Sequence, residues 1–442
     1  MHRDARAPTS TILSMSVAAG DRSSIRHKSV EEFPLSRFRR LLGPLGVAEF
    51  RLPELSLRQR RLARSATIED LRQIAKRRLP RGVFDYIDGG AEDELTLAAN
   101  SAAYRKLSFS PRVLRDVSQV DISSTLLGRK LAFPLVLAPT GFTRIAHPDG
   151  ELAVARAAKR AGLPYALSTL GTRSIEEVAG VGSDRLWFQV YTWRDRDLVA
   201  ELIKRAANSG YEALCLTVDT AVLGRRERDV RRGFTLPPKI GLSTLFDGIV
   251  HPGWSWAFLT SDPIVFANVA GNTSVGDGTD AISLAEYVGK QFDSALSWED
   301  VDWLRDRWDG PLVLKGIQSV EDARIAADRG VDAIAISNHG GRQLDSTPAP
   351  LDLLPAIAKA VNGRTEIICD GGVRRGSDIV KAVALGADAV MVGRPYLYGL
   401  AVAGEMGVDQ VLDNFGSEMR RTMGLVGCTR VDDLGPEYIL GS

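Results

Sequence analysis

Cysteine is scarce in this 442-residue chain. Cys215, Cys369 and Cys428 lie far apart and form no CxxC pair. That excludes a disulfide framework and gives no structural zinc motif, and reduced thiols of a cytoplasmic protein are the plain reading. No metal site is expected. Charge of one sign is missing too: 56 Lys and Arg stand against 55 Asp and Glu, a net +1. So even a balance gives no reason to expect a nucleic-acid partner. No run reaches 18 uncharged apolar residues, so no membrane-spanning helix is expected. The apolar stretch Thr11–Gly20 is short, broken by serines and followed by Asp21 and Arg22, which does not read as a secretory signal. There is no GxxxxGK[ST] loop and no CxxCH haem site, and no GxGxxG follows the first predicted strand. Neither NAD nor an attached c-type haem is therefore implied.

Apolar residues are ample, at 44% of the chain, enough to fill a large core. Charge is unevenly spread. Residues 1–65 hold 13 Lys and Arg against 6 Asp and Glu, whereas the remainder holds 43 against 49. That shift sets residues 1–65 apart as a basic extension, expected to be a mobile arm or sequence upstream of a start at Met15. Contact with an anionic surface is its alternative use. Residues 66–442 form the expected folded domain. Its opening, Ser65-Ala66-Thr67-Ile68-Glu69-Asp70, reads as a helix start, with Ser65 upstream and acids in the first turn. Pro80 ends that helix, and a second runs to Gly89-Gly90.

From Phe133 onward, eight short apolar runs recur: Phe133–Ala138, Tyr165–Ser168, Leu186–Tyr191, Ala213–Val218, Leu312–Lys315, Ala333–Ser337, Glu366–Cys369 and Ala389–Val392. Helix-like stretches such as Gly150–Ala161, Arg196–Ser209, Ser319–Asp328 and Gly376–Leu385 fall between them. Eight βα repeats point to an α/β fold of the TIM (β/α)8 barrel class, with N-terminal helices added. The wide gap between the fourth and fifth runs implies a lid inserted at about residues 228–295. Pro237, Pro238, Pro252, Pro263 and several glycines predict that much of it is irregular.

In a barrel the C-terminal strand ends carry the chemistry. Here they carry Pro139-Thr140-Gly141, then Gln189 and Tyr191, Thr217 and Asp219, Lys315, Ser337-Asn338-His339-Gly340-Gly341-Arg342, Asp370-Gly371-Gly372 and Gly393-Arg394. Any one polar strand end is weak evidence, but the set is strong. Asp370-Gly371-Gly372-Val373-Arg374 opens a helix and Gly393-Arg394 follows the last strand, which is the usual phosphate seat of the fold. Arg374 or Arg394 could pair with a phosphate. A single seat favours a mononucleotide. His339 sits on a glycine-rich loop, with Arg342 three residues later and Asp219 across the mouth. An imidazole base needs an orienting carboxylate, and an acidic substrate needs a guanidinium. Lys315 ends a buried strand and needs an anionic partner or a role, either as a Schiff base or beside an anionic cofactor.

These residues fall in longer motifs. SNHGGRQLD (337–345), DGGVRRGSD (370–378), FDYIDGGAEDE (84–94), LAPTG (137–141), WFQVY (187–191), LTVDT (216–220) and GRRERD (224–229) together resemble the FMN-dependent α-hydroxy-acid dehydrogenase and oxidase family, over about Ile68 to Ile439. SIEEVAG, HPGWSW and SDIVKAVALGA lean towards its bacterial L-lactate and mandelate dehydrogenase branch. The resemblance implies FMN held by Pro139, Thr140, Gly141, Ser168, Gln189, Tyr191, Thr217, Lys315, Ser337, Asp370, Gly371, Gly372, Val373, Arg374, Gly393 and Arg394. It implies His339 as base, held by Asp219. Arg226 and Arg342 would clamp the substrate carboxylate, with Tyr86 and Tyr191 hydrogen-bonding the substrate and Leu170 and Phe142 tuning size. The implied reaction takes an L-2-hydroxy acid, L-lactate foremost, to its 2-oxo acid. Gly141, where the oxidase branch usually carries Ala, implies a dehydrogenase passing electrons to a quinone or other carrier; an oxygen-using L-2-hydroxy-acid oxidase or a mandelate dehydrogenase is the alternative. A homotetramer is implied as well. A flavin isomerase would keep the phosphate seat without needing Arg226, Arg342 and His339, and a non-catalytic flavin protein would not need His339 with Asp219.

Residues 242–260 put Leu245, Phe246, Ile249, Val250, Trp254, Trp256, Phe258 and Leu259 into the lid. Packing on the barrel or a neighbouring subunit is one expectation. The other is peripheral contact with the inner face of the cell membrane, weakened because the segment has no Lys or Arg.

Overall fold

The computed structural model describes residues 56–232, 242–269 and 291–441. Eight parallel strands close into a barrel: β1 Leu135–Leu137, β2 Tyr165–Ser168, β3 Leu186–Val190, β4 Ala213–Thr217, β5 Leu312–Ile317, β6 Ala333–Ser337, β7 Glu366–Asp370 and β8 Ala389–Val392. Each pairs with its chain neighbour, and β8 closes on β1 through Val390↔Leu135 to Val392↔Leu137. Nearly every strand residue is buried, because helices cover the outside and side chains fill the inside. Such strands read as continuous apolar runs rather than alternating ones, which is why all eight stand out in the sequence.

The ladder slips between Lys315 and Ile317 of β5. Gly316 takes φ +118° there, and a Cβ on it would lie 2.8 Å from Cβ of Asp219. The bulge thus lets Asp219 sit against the strand that carries Lys315. At the other end of the barrel, the hairpin Ser124–Leu126/Arg129–Leu131 turns at Leu127-Gly128, both with positive φ. Leu127 N donates to the carboxylate of Glu366 at the start of β7 (2.6 Å).

The two N-terminal helices fall where expected, at Ile68–Arg78 and Arg81–Asp88. Their start differs in detail. Thr67, not Ser65, is the cap: its hydroxyl accepts from Asp70 N while the Asp70 carboxylate accepts from Thr67 N, a reciprocal capping box. Ser65 instead donates to Arg61 O, ending an earlier helix, Leu57–Ala63, in which Leu62 is buried. The last residues of the predicted mobile arm therefore belong to the packed body, because Leu62 has a core to join. The rest of that arm lies outside the described residues.

The lid is less irregular than its prolines suggest. Glu227–Arg232, Leu242–Val250 and Pro252–Leu259 are helical. Pro252 occupies the first turn, where the missing N–H costs nothing. Residues 233–241 and 270–290 of the predicted lid lie outside the described residues. The return limb is stapled to the barrel. Buried Arg144 donates to the carbonyls of Asp262 and Pro263, Trp254 Nε1 donates to Ile145 O (2.8 Å), and Asn268 bonds Ile175 N and Ser168 O. Among the described residues no helix is long and apolar enough to cross a membrane.

Candidate active site

One cavity opens at the C-terminal ends of the strands. Its walls include Tyr86, Pro139, Thr140, Gly141, Ser168, Tyr191, Arg226, Lys315, His339, Arg342, Asp370, Gly371, Gly372, Val373, Arg374, Gly393 and Arg394, so most of the predicted site residues meet there. Gln189, Thr217, Ser337 and Asp219 are next to residues on its walls: Gln189 bonds Ser168, Ser337 bonds Lys315 and Asp370, Asp219 bonds His339, and Thr217 pairs with Lys315 in the ladder.

Ser337 is the hub of that layer. Its Oγ accepts from Lys315 Nζ (3.0 Å) and from His339 N (3.1 Å), and donates to Asp370 Oδ2 (2.7 Å). Lys315 Nζ also lies 2.9 Å from Asp370 Oδ2. Burial opposes the Lys315 charge, but Asp370 and Asp219 outweigh it and raise its pKa above the ordinary value. A lysine held cationic by two carboxylates is no Schiff-base nucleophile; it is a fixed positive charge at the cavity wall.

His339 sits in the left-handed region (φ +57°), as do Gly340 and Gly341 after it. A non-glycine residue is uncommon there, and such conformations cluster at active sites. The turn brings His339 Nδ1 to 3.0 Å from Asp219 Oδ1. The Asp219 side chain is 4% exposed and that of His339 26%. Burial alone would raise the Asp219 carboxyl, yet His339 and Lys315 hold it below the ordinary carboxylate range. Asp219 is therefore anionic, Nδ1 carries the proton towards it, and Nε2 is left as the accepting nitrogen.

Both predicted clamp arginines face the same space. Their guanidinium carbons lie 5.7 Å (Arg226) and 5.1 Å (Arg342) from the Tyr86 ring centre, within cation–π range. Arg342 is anchored by donation to Tyr86 O (2.7 Å) and Gly89 O (3.1 Å), which leaves its other donors for a ligand. Burial, with Arg226 and Arg394 beside it, pushes its pKa down to about 9. Two partly buried guanidiniums beside one aromatic ring suit an anion between them. Asp229, raised by burial and 3.6 Å from Arg226 Nε, supplies only part of it.

Both arginines of the expected phosphate seat line the cavity. The Arg394 guanidinium donates to three backbone carbonyls: Ile87 and Gly89 at the end of the helix that carries Tyr86, and Gly340 after His339. It ties the helix and the catalytic loop together and keeps two of its five N–H donors for a ligand, as Arg374 keeps most of its own. Gly371 and Gly372 have φ of +122° and +81°, conformations that turn backbone N–H groups towards an anion.

The walls fit a flavin mononucleotide. Gln189 Oε1 accepts from Ser168 Oγ (3.0 Å), leaving Gln189 Nε2 buried with no partner among the described residues. An orphaned donor of that kind wants a ligand acceptor. The buried cation Lys315, the glycine turn and Arg374 complete a set of donors suited to a flavin edge and a phosphate.

A family profile described as FMN-dependent dehydrogenase matches residues 75–440. The chain belongs to that family. Its cofactor is FMN, and its reaction class is the FMN-dependent oxidation of 2-hydroxy acids. The chain is 46% identical over 399 residues to a provisionally named L-lactate dehydrogenase of Mycobacterium tuberculosis, covering 90% of this chain and 94% of that one. It is 44% identical to an L-lactate oxidase of Nostoc sp., covering 83% and 96%. The crystal structure of the monotopic membrane protein (S)-mandelate dehydrogenase superposes with a TM-score of 0.82 at 39% identity, over 86% of this family member and all of that chain.

Some contributors to the cavity were not legible in sequence. Phe292, from the lid's return limb, Leu223, Val230 and Leu397 line it, but none lies in a motif or at a strand end.

Proposed function

We propose that this family member is an L-lactate dehydrogenase, oxidising L-lactate to pyruvate and passing electrons to a quinone or another carrier rather than to oxygen. The observation that carries the reading is His339, oriented by Asp219, in one cavity with Arg226 and Arg342. The two guanidiniums bind the substrate carboxylate, with Tyr86 and Tyr191 as hydrogen-bond donors beside it. That pose presents the C2 hydroxyl and hydrogen to His339. His339 Nε2 takes one proton from the substrate, and Asp219 stabilises the resulting imidazolium. FMN, when bound, accepts the two electrons. Proton removal from the hydroxyl with hydride transfer, or from C2 as a carbanion, uses the same residues. Pro139, Thr140, Gly141, Ser168, Gln189, Thr217, Ser337 and the 370–374 and 393–394 turns are assigned to the cofactor. Lys315 would supply fixed positive charge to stabilise an anionic reduced cofactor.

Gly141 supports the dehydrogenase assignment. A Cβ there would stand 3.2 Å from Cβ of Leu170 and 3.9 Å from the Tyr86 hydroxyl, so the glycine leaves space beside both. Acid-released cofactor should chromatograph as FMN. The reduced enzyme should be reoxidised quickly by a quinone analogue and slowly by air; rapid reaction with oxygen overturns the acceptor assignment. A panel of L-2-hydroxy acids fixes the substrate.

Peripheral membrane contact is part of the proposal. Trp254 is half-buried and stacks on Phe258 (centroids 4.9 Å apart), serving the packing role. Phe246, Ile249, Val250, Trp256 and Leu259 remain exposed. Pelleting with anionic vesicles should fall in Trp254→Ser/Trp256→Ser; equal, negligible pelleting of both proteins leaves only packing. The same variant, run beside the parent by light scattering, tests whether the expected homotetramer uses this face.

A further inference from the structure

The cavity walls divide by chemistry. Most of the polar groups are assigned to the cofactor, the carboxylate clamp and the base. Phe142, Leu170, Leu223, Val230 and Phe292 give the cavity an apolar portion. That portion suits the substrate's own side chain, a step that rests on the hydroxy-acid reading above. Phe292 differs from Phe142 and Leu170, which follow β1 and β2, because it is delivered by the lid. Its backbone is fixed by a bridge to Trp193, by Arg194 N donating to Gln291 O (2.9 Å) and by Arg196 at 3.1 Å from Asp293. Its ring meets Tyr191 edge-on at 5.2 Å and Trp193 at 6.5 Å, while Tyr191 and Trp193 lie parallel, 8° apart. Trp193 is fully buried. Trp193 and Tyr191 therefore block Phe292 from swinging aside into the barrel, and its ring lines the cavity.

We propose that Phe292 is a specificity-determining residue, the lid-borne wall that sets how large a side chain the 2-hydroxy acid can carry. Removing the ring opens the apolar chamber and leaves Arg226, Arg342, His339 and Lys315 in place, while Tyr191 loses one of its ring contacts. One methylene of fit in an apolar pocket is worth about 10–200-fold in kcat/KM, so a whole ring is ample to change the order of preference.

The test is the holoenzyme's anaerobic flavin reduction by L-lactate, L-2-hydroxyhexanoate and (S)-mandelate, in the parent, Phe292→Leu and Phe292→Ala, with FMN content checked first. The kcat/KM ratio of the larger acids to lactate should rise about tenfold or more in Phe292→Ala, chiefly through KM, with Phe292→Leu between. If Phe292 only braces Tyr191, all three substrates slow together and the ratios stay constant, which overturns the proposal. Failure of the underlying reading looks different: no 2-hydroxy acid then reduces the parent's flavin. If Phe292→Ala loses its FMN, the ratios in Phe292→Leu decide the matter by the same criterion.

Discussion

Replacing Asp219 by Asn keeps the shape of the site and removes one charge. Asn has nearly the same volume, and it must, because Gly316 packs against this side chain too closely to admit even a Cβ of its own. The backbone carbonyl of residue 219 still accepts from Gln343 Nε2 (2.7 Å), and an amide oxygen can still accept from His339 Nδ1. What is lost is the anion 3.0 Å from an imidazole that becomes positive as it takes the substrate's proton. A hydrogen bond to a charged group contributes about 1.5–3 kcal/mol, and 1.36 kcal/mol is tenfold in rate. The rate constant of flavin reduction should therefore fall about 10- to 150-fold. Lactate affinity should change little, because the clamp is elsewhere. Lys315 keeps Asp370 at 2.9 Å, so FMN content should be unaffected. Anaerobic stopped-flow over a lactate series separates the rate from the affinity. A reduction rate within threefold of the parent's, with FMN bound, would refute the role given to Asp219. The sign of the pH effect follows from its depressed pKa. Its ion pair is fully present above the ordinary carboxylate pKa of about 3.9 and is lost only as pH falls through the lower folded value. No acid limb from Asp219 should appear between about pH 5 and 8.

His339→Ala should keep FMN and lose about 10²–10⁴-fold in flavin reduction; near-normal reduction would remove His339 as the base. Arg342→Met should raise the lactate requirement by the loss of about 1.5–3 kcal/mol, and methyl lactate should be a poor substrate of the parent. Equal use of lactate and its methyl ester contradicts the clamp. In Gly141→Ala the new methyl meets Leu170 at 3.2 Å, so Leu170 must give by a few tenths of an ångström. Lactate should remain a substrate while larger hydroxy acids lose more, and a uniform change across substrates would show that no such squeeze occurs.

The barrel was legible because parallel strands buried on both faces leave unbroken apolar runs, such as Ala213–Thr217 and Ala333–Ser337. The site was legible for a related reason. Strand ends must turn sharply, and the glycines after His339 and Asp370 mark where backbone and side chains face a ligand. Long-range choices left no such trace. Nothing in sequence spacing shows that Arg394 donates to Ile87, Gly89 and Gly340, contacts that join segments more than 50 residues apart. Phe292 was invisible because its role depends on the lid folding back onto Trp193. The lid helices were missed because Pro252 reads as a breaker until its place in the first turn is known.

The central claim is that Arg226, Arg342, His339 and Asp219 act together on an L-2-hydroxy acid beside FMN. Anaerobic addition of L-lactate, with flavin absorbance as the readout and D-lactate as control, tests it most directly. The account predicts stoichiometric bleaching by the L enantiomer, none by the D enantiomer, and one pyruvate formed per FMN reduced. A flavin that stays oxidised with every L-2-hydroxy acid, or that bleaches without a 2-oxo acid appearing, would contradict it.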